Sequence, residues 1–244
     1  MKRYAQAFAM CQTMFCTIPC PGHVWEEKAR PLMLLFLPVV GLEIGAIWYA
    51  AAWLVAQLSL PVPIAALLLC ACPYGLTGAI HLDGFMDVVD AVRSCAAPER
   101  RREILKDPHV GSFAAIGCAL LLLSGYSVFS VSGGDIRLLL FIPVVSRCCS
   151  ALSVTLLPPM STSQYAAQKI DRRHAAVLLV MLAAAIALGF VYCGKGAFAL
   201  LIESAGYGLA LLRAHRNLGG MNGDIAGYAL TVAELCGAAA FALL

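Results

Sequence analysis

Charge is scarce in this chain. Only 13% of its 244 residues are Asp, Glu, Lys or Arg, and 61% are hydrophobic, whereas soluble domains carry about 25% charged residues. That shortage excludes a water-soluble core and leaves an all-α, polytopic integral membrane bundle. Metal-binding cysteine spacing is missing as well. Eleven cysteines are present, but none form Cys-x-x-Cys. Cys70, Cys72, Cys148 and Cys149 fall inside apolar runs, where thiols behave as small apolar side chains. A zinc or dithiol centre is therefore not expected. No internal repeat, low-complexity tract or linker occurs. Residues 1–20 are mildly apolar but lack the small-x-small cleavage pattern of a removable signal. One membrane-embedded catalytic domain over 1–244 is expected, with 1–30 as a cytoplasmic or interfacial segment.

Seven stretches approach the ~20 apolar residues that a bilayer requires. They are Pro31–Gln57, Leu60–Ile80, Gly111–Ser132, Arg137–Leu157, Ala175–Cys193, Gly196–Leu212 and Ile225–Leu244. The sixth is short and carries Glu203. Fourteen of the seventeen basic residues lie in alternate segments: Lys2 to Arg30, the 82–110 loop, the 158–174 loop and the 213–223 loop. The opposite side holds only Arg137 and Lys195, with Arg147 inside the fourth span. The positive-inside rule then puts the amino terminus and the 82–110 loop in the cytoplasm. A bacterial cytoplasmic membrane is the expected location. The many small residues permit close helix packing and leave homo-oligomerisation possible.

What little charge there is concentrates. In Gly78-Ala-Ile-His81-Leu-Asp83-Gly84-Phe-Met-Asp87-Val-Val-Asp90, three carboxylates stand at i, i+4 and i+7. At roughly 100° per residue they share one face of a helix. Each costs about 2.5–3.5 kcal/mol near hydrocarbon on insertion scales, and together they repel. A divalent cation is the simplest remedy. The following residues, Arg100-Arg-Arg-Glu-Ile-Leu-Lys106-Asp107, set cations beside these carboxylates. Phosphate satisfies both, since Mg²⁺ binds through one or two carboxylates plus substrate phosphates. Arg100–Arg102 also suit a solvated run that only determines topology.

A second acidic site follows Gly219-Gly-Met-Asn222-Gly223-Asp224. Asp224 opens the last span, where it could cap a helix or act as a further metal or substrate ligand. Deeper in that span, Glu234 needs a partner, with Arg147 a candidate; Glu43 and Glu203 raise the same question.

These motifs, in order and through nearly the whole chain, resemble the cobalamin synthase family, the adenosylcobinamide-GDP ribazoletransferases. The matching elements are Gly78-x-x-His81-Leu-Asp83-Gly84-x-x-Asp87-x-x-Asp90, Arg100 to Phe113, Gly219-Gly-x-x-Gly223-Asp224 and the early Phe15-Cys-Thr-Ile-Pro19-Cys-Pro21. Departures are the bulkier Met86, Val88 and Val89, Asn222 in place of a common threonine, and no glycine pair in 93–98. The resemblance implies a Mg²⁺-dependent reaction of adenosylcobinamide-GDP with α-ribazole or its 5′-phosphate. The ribazole 3′-hydroxyl attacks the β-phosphorus and GMP leaves. Asp83, Asp87, Asp90 and Asp224 are then the expected metal ligands. Arg93, Lys106, Asp107, Arg147 and Asn222 are expected to contact substrate or phosphate. His81 is a candidate base, a partner to an aspartate, or a hydrogen-bonded interfacial histidine. No nucleic-acid partner is expected. A CDP-alcohol phosphotransferase fits less well, because Asp83-Gly84 is not followed by Ala-Arg. A cation or corrinoid transporter would need acidic residues at mid-membrane and repeated halves.

Overall fold

The computed structural model describes residues 2–20, 25–131, 133–160 and 173–244. Lys169, Arg172 and Pro21, which figured in the charge and motif patterns, lie outside the described residues. Within them ten α-helices follow in order: α1 Lys2–Phe15, α2 Met33–Gln57, α3 Val62–Thr77, α4 Ile80–Arg93, α5 Pro98–Ile104, α6 Ser112–Val131, α7 Ile142–Leu156, α8 Arg173–Cys193, α9 Phe198–Leu218 and α10 Gly223–Leu243. The only strand-like pairing among the described residues is a bridge between Pro159 and Met221.

Five helical stretches are long and apolar enough to cross a membrane. The longest, Arg173–Leu218 with 46 residues, folds back on itself at Gly194. Gly189 of α8 lies against Ala197 and Leu200, and Phe190 meets Phe198 edge-on with centroids 5.2 Å apart. Counted as two crossings, α8 and α9 bring the total to six. The pair α3 and α4, bent by 94° at its break, adds one more when counted as a single broken span. The all-α, polytopic character that the composition led us to expect is therefore present.

Helix α7 occupies the middle and packs on α2, α8, α9 and α10. By contrast α6 turns Ile116, Leu120 and Leu123 outward, each more than half exposed. Outward leucines need no aqueous explanation in a protein whose solvent is lipid.

Two boundaries differ from the sequence expectation. The second span was expected to reach Ile80, yet α3 ends at Thr77. Gly78 and Ala79 both take left-handed conformations, with φ of 60°, and this elbow redirects the chain. Such a backbone costs a non-glycine residue about 1–2 kcal/mol, so Ala79 is held there by its surroundings. The Thr17 N–H donates to the Leu76 carbonyl at 2.8 Å. The sixth span was expected to stop at Leu212, yet α9 continues to Leu218, so Arg213 and Arg216 belong to a helix. Its last turns are held by α5: Arg101 donates to Asn217 and Arg102 to the Leu218 carbonyl at 2.9 Å. Cations there complement the unpaired carbonyls of a helix end. Two of the three arginines read as a solvated run are thus structural fasteners. The segment 82–110, expected as a loop, contains most of α4 and all of α5.

Candidate active site

Helix α4 carries the aspartate stripe and crosses the start of α10. Its direction, at 94° to α3, and its three carboxylates mean that it runs across the bundle and does not continue the span. Contact between the two helices is close because residue 84 is glycine. A Cβ there would stand 2.9 Å from the Asp224 Cα. Only glycine brings Asp83 and Asp87 this near to Asp224. Gly84→Ala is expected to force the helices apart, costing about 1–3 kcal/mol, the range for overpacked sites. A lower melting temperature together with reduced turnover of the purified protein would show it; an unchanged melting temperature would refute the close approach.

Asparagine, and not aspartate, caps α10. The Asn222 Oδ1 accepts the Ile225 N–H at 2.9 Å, and its Nδ2 donates to Asp224 Oδ2 at 2.7 Å. Asp224 is thereby released from capping and lines a cavity with Asp83. Asn222 orients the Asp224 carboxylate. The Asn-Gly-Asp string before an apolar run was the available signal.

Burial, followed by the charges of Asp83, Asp224 and Asp90, pushes Asp87 up to about 6. Such a shift records a carboxylate short of positive charge. Asp90 sits at the edge of this group. It accepts the Ala114 N–H of α6 at 3.4 Å and packs against Gly111. Among the described residues no three His, Cys, Asp or Glu side chains converge tightly enough to hold a metal unaided. Mg²⁺ does not demand such a cage, since substrate phosphates complete its shell.

The other expected contacts scatter. Arg147 is fully buried in α7, bonded to Glu234 at 2.5 Å and to the Pro143 carbonyl at 3.2 Å. It lines none of the cavities beside the aspartates, so a phosphate-contact role is not what the fold gives it. Its expected pairing with Glu234 is present. Arg93 also turns elsewhere, into a groove between α4, α6, α9 and α10 that it shares with Arg213 and Tyr228. Lys106 and Asp107 are exposed after α5. The His109 backbone and ring N–H groups hold the Asp107 carboxyl below the usual range. His81 is buried, stacks on Phe15 with centroids 5.8 Å apart, and has an Nε2 without a hydrogen-bond partner among the described residues. It makes no hydrogen bond to an aspartate among those of the described residues.

Comparison with known proteins bears on this arrangement. A family model described as cobalamin-5-phosphate synthase matches residues 7–242. The chain is 36% identical to an adenosylcobinamide-GDP ribazoletransferase of Clostridium perfringens, with 97% of each chain covered. It is 29% identical to one of Clostridium botulinum, again over 97% of each. A third, from Lachnoclostridium phytofermentans, is 32% identical over 91% of this chain and 88% of its own. No solved structure matches.

Proposed function

The chain belongs to the cobalamin-5-phosphate synthase family, and we propose that the aspartates where α4 crosses α10 carry its phosphoryl transfer. It is a membrane-embedded transferase of final-stage cobalamin biosynthesis. Its substrates are adenosylcobinamide-GDP and α-ribazole or α-ribazole 5′-phosphate. The ribazole 3′-hydroxyl oxygen forms a bond to the β-phosphorus. The bond from that phosphorus to GMP breaks, and GMP leaves with the electron pair. The hydroxyl proton passes to a carboxylate of the cluster or to water.

Asp83, Asp87 and Asp224 would hold Mg²⁺, with Asp90 at the margin. Bound there, Mg²⁺ polarises the phosphoryl oxygens and stabilises the departing phosphate. The chain's own contribution is placement. Asn222 fixes the Asp224 carboxylate, Gly84 lets α4 reach α10, and the elbow at Gly78–Ala79 aims the stripe. Lys106, exposed nearby in sequence, is available for phosphate charge as the reaction proceeds. The site faces the cytoplasm by the distribution of basic residues.

The observation that carries this reading is the crossing of α4 on α10 at Gly84, which sets the aspartate stripe against Asp224, with Asp87 raised by burial and by the charges of Asp83, Asp224 and Asp90. The test is GMP release from adenosylcobinamide-GDP by protein reconstituted in liposomes, with the corrinoid product weighed by mass spectrometry. GMP and complete corrinoid are expected in equal amounts with Mg²⁺, and neither with EDTA. Equal turnover in EDTA would remove the metal. Corrinoid uptake without GMP would replace the transferase by a transporter.

A further inference from the structure

Asp83 lies on a ridge between two cavities of unequal size. The larger, about 1060 Å³, is open and runs between residues 13–20 and the elbow. The smaller, about 290 Å³, is the more enclosed, held among α1, α2, α4, α7 and the start of α10. Met14, Ile80 and Asp83 line both, whereas Asp224 and Asn222 line the smaller alone.

Resting on the bisubstrate reaction proposed above, we infer that the small cavity seats the acceptor nucleoside and the open one the nucleotide-activated corrinoid. Size decides the second half. Ligand pockets run from about 300 to 1,000 Å³, so the small cavity stands at the lower end. A macrocycle bearing a nucleoside diphosphate cannot enter it, while a flat base with its ribose can. Chemistry decides the first half. Leu34, Leu37 and Val154 make the walls apolar, as an aromatic base requires. The Phe15–His81 stack, 10° from parallel, supplies a planar surface. His81 Nε2 is enclosed without a partner among the described residues, in a residue only 8% exposed. Buried polar atoms are ordinarily paired, and a nucleoside supplies the missing hydrogen bond from a ring nitrogen or a ribose hydroxyl. With the base inward, the ribose lies toward Asp83 and Asp224. The attacking hydroxyl then meets the β-phosphorus over the ridge, and GMP departs on the open side. His81 is a positioning residue in this arrangement.

Val154→Phe narrows the small cavity and is expected to raise KM for α-ribazole at least tenfold while leaving KM for adenosylcobinamide-GDP unchanged. His81→Gln is expected to raise the same KM with little change in kcat. Thr13→Trp, at the open cavity, is expected to do the reverse of Val154→Phe. An equal rise in both KM values for Val154→Phe, or a His81→Gln effect confined to kcat, overturns the assignment. A measurement on the wild type covers variants that fail to fold: photolabelling with an azido-benzimidazole riboside, followed by peptide mapping. Label on residues 34–37 or 150–154 supports the small cavity; label confined to 16–20 and 77–79, which line the open cavity alone, overturns it. GMP release by the same wild-type sample tests the reaction separately, and its absence withdraws both.

Discussion

Replacing Asp87 by asparagine is expected to give a protein that melts higher than wild type and turns over at least about a hundredfold more slowly, the scale of losing one preorganised electrostatic group. The two effects share one cause. Burial and the charges of Asp83, Asp224 and Asp90 raise Asp87 to about 6, so the folded chain binds this proton more tightly than the unfolded chain does. Wherever the native state holds more protons, stability falls as pH rises. Without metal, the contribution of Asp87 to stability should therefore be fully present below about pH 4, fall away up to about pH 6, and stay at the lower level above that. The Asp87→Asn substitution abolishes this decline because an amide carries no charge to repel. Melting curves in EDTA between pH 4 and 8 measure it, and added Mg²⁺ should restore the wild type alone. An Asp87→Asn protein that melts lower than wild type at pH 7, or that keeps full turnover, would remove the carboxylate cluster as the seat of the cation.

Arg147→Met is expected to destabilise the bundle by about 3–5 kcal/mol, the usual result of stranding one partner of a buried pair. Arg147 is wholly enclosed and bonds Glu234, and Ser146 donates to the same carboxylate at 2.9 Å. Glu203, equally enclosed, lies within the electrostatic reach of Arg147 and Glu234. Removing the guanidinium leaves two electrostatically coupled carboxylates in the interior without their cation. Arg147→Met combined with Glu234→Leu should recover most of the loss, since apolar replacements of matching volume are often neutral or better. Denaturation in mixed micelles would compare the three proteins. A single variant as stable as wild type would show that water already reaches the pair.

Spacing made the stripe legible, because three residues at i, i+4 and i+7 must share a helix face wherever that helix lies. Depth made the Arg147–Glu234 pair legible, because a lone charge in a span requires an opposite one. Neither kind of signal reports which neighbour a face will meet. Arg93 stands three residues beyond Asp90 and still turns into a different groove. The elbow was hidden for another reason. Apolar residues continue through Thr77 to Ile80, and the left-handed pair depends on contacts from the end of α1 that are distant in sequence. Asp224 was ambiguous between cap and ligand because both Asn222 and Asp224 can cap; only the hydrogen bond to Ile225 separates them.

The bond between Thr17 and Leu76 also has a bearing on how the protein is made. Its partners are 59 positions apart, so the first helix leaves the ribosome well before the elbow that it will fasten. Until α3 has been inserted, α1 has nothing to hold at this point and Phe15 has no His81 to stack on. The amino-terminal helix must therefore wait on the side of the membrane where the elbow will emerge. One side of the open cavity beside Asp83, residues 13–20, is laid down at the start of synthesis and put to use only after the third helix is in place.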